Sequence, residues 1–260
     1  QMRNLVLTGF MGTGKTAVGK AVAQRLKRPF VDMDAVIESR AGKTISRIFA
    51  IDGEATFRRM ERDLCEELAV QEGLVIATGG GALVDPRNRE TMMATGTIVC
   101  LTASPDQILD RVGEADDRPL LSVSDPHAKV ARLLAEREPA YAAIPWQVPT
   151  DGRTVEDLAM TVTDLATART LPVTHPSGRY PIHIGRDTLS YLGGALRAAG
   201  VAPGTRVAVV SNTVVAPLYG DAVVAGLTPA GYQPFICTLP DGEEHKTLAT
   251  VRDLYDDQIG

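Results

Sequence analysis

The sequence predicts an α/β protein built around a parallel β-sheet that is covered by helices on both faces. Short apolar runs alternate with longer helical segments through the first two thirds of the chain, an order typical of parallel sheets. A glycine-rich loop at residues 9–16 joins the first apolar run to the first helical segment, a place where such folds bind phosphate. With 44% hydrophobic and 23% charged residues, the composition is ordinary for this fold class.

The strands of this sheet are predicted from apolar runs, as expected for strands that are buried on both faces. They fall at residues 4–8, 30–32, 74–77, 97–101 and 147–148. The intervening segments are rich in helix-forming residues. They predict helices at residues 15–26, 35–40, 45–70, 104–112, 127–142 and 155–166.

A long polar connection lies between the helices predicted at 104–112 and 127–142. It contains two prolines and a glycine and has little apolar periodicity. Loops of this length in a compact domain are usually functional or disordered. Because Arg118 stands beside a proline here, we interpret the segment as a mobile lid that delivers an arginine on closure.

A proline-containing polar stretch marks a predicted domain boundary. We assign residues 1–168 to the first domain, residues 169–178 to a linker and residues 179–260 to a second segment. In the second segment we predict strands at 179–185, 206–211 and 233–238, and helices at 187–199, 213–225 and 246–257.

Charge and composition exclude several classes of function. A net charge of −5 argues against a general nucleic-acid binder, and no apolar run approaches the roughly 18 residues that a membrane helix needs. The cysteines are widely spaced, so we expect reduced thiols in the core rather than a zinc knuckle or a disulfide framework: Cys65, Cys100 and Cys237. Because the first strand follows the N-terminus without a charged and apolar leader, we expect a cytoplasmic protein that acts on small molecules.

The loop after the first strand has the sequence G-x-x-x-x-G-K-[ST] and predicts a P-loop NTPase-type sheet. Its backbone N–H groups and the dipole of the following helix would bind phosphates, while Lys15 reaches the β- and γ-phosphates and Thr16 binds Mg²⁺. The nucleotide would therefore contact Gly12, Thr13, Gly14, Lys15, Thr16 and Ala17. The alternative is a glycine-rich turn that merely resembles the motif.

Two carboxylates follow the second predicted strand. Of Asp32 and Asp34, one would hold water on Mg²⁺ and the other would accept a proton or a hydrogen bond from an attacking hydroxyl. The alternative for Asp34 is a simple helix N-cap.

Arginines and glycines farther along the chain predict a site for a small anionic acceptor. Arg58 and Glu61 lie one turn apart on a predicted helix, so that Arg58 would be a fixed carboxylate clamp. Gly79, Gly80 and Gly81 follow a strand end and would bring bare backbone N–H groups to the ligand. Arg118 and Arg137 would complete the set; for every arginine the alternative is a solvated surface side chain.

Together these motifs resemble shikimate kinase over about residues 2–168. They are the phosphate loop, D-x-D after the second strand, F-R-x-x-E, the triple glycine, R-P-L-L in the lid and R-x-P-x-Y. The resemblance implies Mg²⁺-dependent transfer of the γ-phosphoryl group of ATP to the 3-hydroxyl of shikimate, in aromatic amino-acid biosynthesis. It implies that shikimate is held by Asp34, Arg58, Gly80 and Arg137, and that Lys15 and Arg118 stabilise the phosphoryl charge. It also implies that Asp34 receives the hydrogen bond of the attacking hydroxyl, while Asp32 lies near the metal. It further places Arg111 against adenine and Arg153 in the loop near the same base.

From about residue 172 the chain resembles the N-terminal part of 3-dehydroquinate synthase. The matching segments are Y-P-I-H-I-G at 180–185, V-V-S-N at 209–212 and P-D-G-E-E-H-K-T at 240–247. The resemblance implies that residues 179–260 are an incomplete α/β nucleotide-binding segment, with contacts to NAD from Asn212, Glu243 and Lys246. The later metal-binding and catalytic residues of that family have no counterpart, so we expect a multifunctional kinase–synthase fusion that is truncated here, with weak NAD binding and no synthase activity.

Two other functions remain open at this stage. A gluconate-kinase-like or adenylate-kinase-like phosphotransferase would share the phosphate loop and a lid, and another sugar acid would fit the same arginine clamp. A nucleotide-binding regulatory module without turnover is the non-enzyme alternative, against which Lys15, Asp32, Asp34 and Arg118 all argue.

Overall fold

A computed structural model describes residues 2–113, 125–175 and 178–255 of the chain. The backbone forms two compact units, Gln1–Arg186 and Asp187–Gly260. Each unit has its own helices and strands.

The first unit is built on a five-stranded sheet in the order β2-β3-β1-β4-β5. Every neighbouring pair in this sheet is parallel. The strands are β1 (Asn4–Gly9), β2 (Phe30–Asp32), β3 (Val75–Ala77), β4 (Gly96–Thr102) and β5 (Trp146–Pro149). β1 lies in the middle and is buried along its whole length, so the loop that follows it starts at the centre of the sheet's carboxyl edge.

Helices flank this sheet. They are α1 (Lys15–Leu26), α2 (Met33–Ala41), α3 (Ile45–Ile51), α4 (Glu54–Ala69), α5 (Pro86–Thr95), α6 (Pro105–Gly113), α7 (Pro126–Ala142) and α8 (Val155–Thr167). The core between helices and sheet contains fully buried side chains such as Phe10, Ile48, Leu83 and Ile108. The α/β class and the predicted parallel sheet flanked by helices are thus confirmed.

Two details of the predicted helices are wrong. The single helix expected over residues 45–70 is interrupted at Asp52 and Gly53, because Gly53 has φ 81°, a left-handed conformation that cannot continue an α-helix. Helix α5 was not predicted. Its N-terminal signal is nevertheless present, since the Asp85 carboxylate accepts from the Arg87 N–H and Pro86 stands in the first turn.

The chain predicted to be a linker is mostly β-strand. Strands β6 (Arg169–His175) and β7 (Gly178–Ile184) form an antiparallel hairpin that belongs to the first unit. The His183 ring meets the ring of buried Trp146 on β5 edge to face, with centroids 4.8 Å apart. The division between the units therefore falls after Arg186 rather than at residues 169–178.

We expect this ring contact to weaken in acid. Burial lowers the pKa of His183 below its ordinary value of 6.5, so the stability that neutral His183 contributes is present above that value and is lost as the pH falls through the folded-state pKa. Trp146 is the chain's one tryptophan, so its fluorescence should report the change with a midpoint below pH 6.5. The fluorescence transition should vanish in His183→Asn and persist in the control His127→Asn, a change on α7. A midpoint at or above pH 6.5 would contradict the assignment of the transition to His183.

The second unit is a smaller α/β structure. Strands β8 (Arg206–Asn212) and β9 (Gln233–Leu239) pair in parallel and are connected through helix α10 (Ala216–Leu227). Two short helices, α9 (Leu192–Ala198) and α11 (Leu248–Leu254), precede and follow this βαβ element. The predicted strands are confirmed within one residue, while the helix predicted at 187–199 is a 3₁₀ turn at Thr188–Tyr191 followed by α9.

The described residues also test two expectations from composition. Cys65, Cys100 and Cys237 are all free and buried, and burial raises the pKa of Cys65 and of Cys100 to about 12. Such thiols are inert. Across 2–113, 125–175 and 178–255, none of the helices combines the length and apolar character of a membrane span.

Candidate active site

The phosphate loop connects β1 to α1 at the centre of the sheet. Gly12 and Gly14 have φ 76° and 89°, left-handed values that an L-residue with a side chain rarely adopts. Gly14 is the N-cap of α1 and no side chain caps this helix, so its first N–H groups remain available to an anion. Thr13 is buried and its hydroxyl donates to the Phe10 carbonyl at 2.8 Å, which braces the loop, whereas Ala17 is exposed in the first turn.

Lys15 reaches back across this loop. Its Nζ donates to the carbonyls of Gly9 at 3.0 Å and Phe10 at 2.8 Å. The ammonium group is therefore held inside the curve of the loop, where phosphate oxygens would bind.

Thr16 and Asp32 form a pair of oxygen donors beside the loop. The Thr16 hydroxyl donates to Asp32 Oδ2 at 2.8 Å, while Asp32 Oδ1 accepts from the Ala35 N–H at 3.3 Å. Asp32 is therefore the N-cap of α2, and Asp34 lies in the first helical turn instead of capping it. The simple N-cap alternative for Asp34 is wrong.

The triple glycine after β3 lies against the acidic side chains. A Cβ on Gly79 would come within 2.6 Å of Asp34 Oδ1 and 3.0 Å of Glu61 Oε1. A Cβ on Gly81 would come within 2.7 Å of Arg58 Nη1. Side chains at Gly79 and Gly81 would displace these functional groups, so the glycines are required for close approach.

Arg58 is held by two carboxylates of its own helix. Its guanidinium donates to Glu61 Oε2 at 2.6 Å and to Glu54 Oε1 at 3.0 Å. Burial lowers the Arg58 pKa, but both carboxylates raise it by more, so its net pKa is raised. The side chain remains 35% exposed, which leaves part of its fork open to a ligand.

Glu61 is the most buried charged residue of the site. Its side chain is 2% exposed, and burial raises its pKa against the lowering effect of Arg58; the charge of Asp34 raises it further. Among the described residues, no hydrogen-bond partner was found for Glu61 Oε1. The sequence indicated the pairing with Arg58 but gave no sign of this burial.

Arg137 and Tyr141 converge on the middle glycine from helix α7. Arg137 Nη1 donates to the Gly80 carbonyl at 3.2 Å and the Tyr141 hydroxyl donates to the same oxygen at 2.7 Å. The Arg137 guanidinium carbon also lies 5.0 Å from the centre of the Phe10 ring. Tyr141 was not predicted as a site residue, although its spacing of four from Arg137 places both on one helix face.

Arg58, Glu61 and Arg137 line one open cleft of about 270 Å³. Its walls include Arg58, Glu61, Gly81, Asn88 and Arg137. The structure therefore brings two of the three predicted arginines together beside the phosphate loop. The third, Arg118, lies outside the described residues, as does most of the predicted lid.

The two arginines predicted near the base lie on the other side of the loop. Arg111, at the end of α6, donates to the Gly12 carbonyl at 3.2 Å and to Thr150 Oγ1 at 2.9 Å. Arg153 turns towards α8, where it donates to Thr161 Oγ1 at 2.6 Å. The structure thus links Arg111 directly to the phosphate loop but not Arg153.

The residues predicted to contact NAD lie in the second unit. Asn212 ends β8, donates to Asp241 Oδ1 at 2.6 Å and accepts from the Val215 N–H at 2.7 Å. Lys246 Nζ donates to Glu243 Oε1 at 2.6 Å. All three are therefore engaged with other residues of their own unit.

Residues 11–166 match the family model described as shikimate kinase. The chain belongs to the shikimate kinase family. Its similarity to the curated shikimate kinases is substantial: 46% identity over 155 residues with that of Pelotomaculum thermopropionicum, covering 60% of this chain and 90% of the relative. The shikimate kinase of Geobacter sulfurreducens is likewise 46% identical over 165 residues, covering 64% of this chain and 90% of the relative.

Solved shikimate kinases share the fold of the first unit. The enzyme from Acinetobacter baumannii, solved in complex with shikimate, is 38% identical and superposes with a TM-score of 0.61, covering 64% of this chain and 93% of that one. The enzyme from Bacteroides thetaiotaomicron is 36% identical with a TM-score of 0.59, covering 64% and 98%. The predicted resemblance to shikimate kinase and the P-loop fold are confirmed, while the resemblance to 3-dehydroquinate synthase stays a prediction.

Proposed function

We propose that the first unit transfers the γ-phosphoryl group of ATP to the 3-hydroxyl of shikimate. The observation that carries this proposal is the position of the arginine-lined cleft next to the phosphate loop: Arg137, which lines the cleft together with Arg58, also lies 5.0 Å from the centre of the Phe10 ring in that loop. The loop end of this site suits phosphate and the cleft end suits a carboxylate, and the Asp34 carboxylate lies in the first turn of α2, close to Gly79. A solved family member in complex with shikimate supports the choice of acceptor.

The phosphate end is formed by the loop and the start of α1. Backbone N–H groups of residues 12–17 would bind the phosphate oxygens, and Lys15 would neutralise charge that develops on the transferring group. Arg118 would add a second positive charge from the lid. Arg111 and Arg153 would contact the adenine.

Thr16 and Asp32 are suited to hold Mg²⁺. Their oxygens lie 2.8 Å apart, and hard oxygen ligands are those that this cation prefers. Mg²⁺ bound in kinases keeps several waters and phosphate ligands, so one protein carboxylate beside a threonine hydroxyl is sufficient. When bound, the cation supplies neutralisation of phosphate charge.

The acceptor end is formed by Arg58, Arg137 and the triple glycine. The two guanidinium groups would bind the shikimate carboxylate, and Asp34 would accept a hydrogen bond from the attacking hydroxyl. Buried Glu61 holds Arg58 on the cleft side of α4, so little reorganisation is needed when the carboxylate arrives.

The direct test is release of ADP with each candidate acceptor. The chain should release ADP from ATP and Mg²⁺ rapidly with shikimate and only slowly with gluconate, with AMP or with no acceptor. If ADP is released faster with gluconate or with AMP, that compound is the acceptor instead of shikimate. ADP release unaffected by any acceptor would favour the regulatory module.

Replacing each clamp arginine by lysine should weaken shikimate binding. Arg58→Lys and Arg137→Lys should each raise the KM for shikimate about tenfold, because a point charge replaces a planar fork that binds both carboxylate oxygens. The KM for ATP should stay within twofold of wild type. Arg59→Lys, an exposed position on the same helix as Arg58, is the control; an unchanged shikimate KM in both clamp variants would reject the clamp.

We also propose that the second unit derives from the N-terminal part of 3-dehydroquinate synthase and binds NAD at most weakly. Asn212, Glu243 and Lys246 supply the expected residue types, but their side chains are already engaged in contacts of 2.6 to 2.7 Å. NAD would have to break these contacts on binding. Calorimetric titration with NAD should give a dissociation constant above about 1 mM, which corresponds to less than about 4.1 kcal/mol of binding free energy; micromolar binding would reject the proposal.

A further inference from the structure

Thr150 connects the end of β4, the loop after β5 and the side chain of Arg111. All three lie in the part of the first unit where the nucleotide would bind. Thr150 follows β5 and is fully buried, so its side chain cannot touch a ligand in the cleft. Its N–H donates to the Thr102 carbonyl at 2.9 Å, which anchors it to the end of β4. Its carbonyl accepts from the Arg153 N–H at 3.3 Å, which shapes the loop that follows.

Arg111 connects this junction to the phosphate loop. Its Nη1 donates to Thr150 Oγ1 at 2.9 Å and to the Gly12 carbonyl at 3.2 Å, and its Nη2 donates to the Thr150 carbonyl at 3.0 Å. The two terminal guanidinium nitrogens therefore donate to both oxygens of Thr150, and Nη1 also donates to the phosphate loop. Because the guanidinium is rigid and planar, the hydrogen bonds that fix it on Thr150 also fix where it meets the Gly12 carbonyl.

Helix α6 also connects the residues that follow β5 to the phosphate loop. Asp151, the residue after Thr150, accepts from the Ser104 N–H at 3.0 Å just before α6 begins. At the far end of α6, a Cβ on Gly12 would come within 2.9 Å of Val112 Cγ2, so the loop lies directly on the helix. The Gly12 carbonyl belongs to a planar peptide in the middle of the loop, and fixing that carbonyl fixes the orientation of the peptide plane.

We propose that Thr150 is a positioning residue for nucleotide binding, which acts by holding Arg111 and, through it, the Gly12 carbonyl of the phosphate loop. This inference rests on the proposed binding of ATP at that loop. The physical basis of this role is preorganisation. Because the phosphate loop is already held in its binding conformation, it loses less conformational freedom when the nucleotide binds. The acceptor cleft lies on the other side of the loop and shares no hydrogen bond with Thr150.

The test compares Thr150→Val with Thr150→Ser. Valine keeps the shape of threonine but removes Oγ1, and losing one hydrogen bond to a charged group should raise the dissociation constant of ADP and the KM for ATP about five- to tenfold. Serine keeps the oxygen, so Thr150→Ser should stay within about twofold of wild type. The KM for shikimate should change less than about twofold in both.

Controls separate this role from a general loss of structure. Thr163→Val removes a hydroxyl that bonds the Ala159 carbonyl on α8, away from the loop, and should leave every constant unchanged. Should Thr150→Val fail to fold, Arg111→Lys keeps Thr150 intact and should weaken binding of inorganic tripolyphosphate, a probe that lacks the base.

Three outcomes would overturn the inference: wild-type ADP affinity in Thr150→Val, equal increases in the KM for ATP and for shikimate, or unchanged tripolyphosphate binding in Arg111→Lys. Failure of the wild-type chain to bind ADP is a different result. It would reject the proposed function itself.

Discussion

Lys15→Ala should lower kcat by about 10³-fold or more while leaving the fold intact, because a single electrostatic contact to the transferring group is worth several kcal/mol in the transition state. Lys15 Nζ is already held within the phosphate loop by the Gly9 and Phe10 carbonyls, so its charge needs little reorganisation to act. The measurement is ADP release with saturating shikimate.

The control for this variant is Lys20→Ala, which removes an exposed lysine from the same helix. It should retain wild-type kcat. Both variants should melt within a few degrees of the parent, since neither side chain belongs to the hydrophobic core. Near-normal turnover by Lys15→Ala would contradict the assignment of this loop to the phosphates.

Asp34→Asn should lower kcat by about 10²- to 10⁴-fold, the usual contribution of a positioned general base. The amide preserves shape and can still bond to a hydroxyl, but it cannot accept the proton. Asp34 lies in the first turn of α2, close enough to Gly79 that any side chain there would clash with its Oδ1. This packing keeps the carboxylate directed at the site.

The same substitution has a second, electrostatic consequence. The negative charge of Asp34 contributes to the raised pKa of Glu61, so removing it should lower that pKa and strengthen the ionised pair with Arg58. The KM for shikimate should therefore not rise with the loss of kcat. Asp63→Asn, an exposed change on α4, is the control; a kcat for Asp34→Asn within threefold of wild type would reject the role of base.

Much of this architecture followed from local sequence signals. The apolar runs of β1, β3 and β4, the helix-forming segments and the loop from Gly9 to Thr16 each depend on neighbours in the chain, so periodicity and motif spacing identified them. The family was predicted in the same way, because its motifs occur in a fixed order along residues 2–168. The matches over residues 11–166 confirm it.

The incorrect predictions of secondary structure fall where one local sequence pattern is compatible with more than one tertiary structure. The pair Asp52 and Gly53 lies inside a helix-forming stretch, and the break appears only in the backbone of the folded chain, where Gly53 has φ 81° and α4 begins after it. Strand β6 lies in the segment predicted as a linker, because its prolines suggest irregular structure, whereas β7 was predicted as a strand. The pairing of these two strands and the contact between His183 and Trp146 become visible only in three dimensions.

By itself, the sequence determined the fold class, the phosphate loop and the residue types that line the neighbouring cleft. Only the tertiary structure decided which of these side chains meet. Burial of Glu61 against Gly79, the convergence of Arg137 and Tyr141 on Gly80, and the path from Thr150 through Arg111 to Gly12 join residues far apart in the chain. Such contacts depend on how helices pack against the sheet, and no local pattern in the chain encodes them.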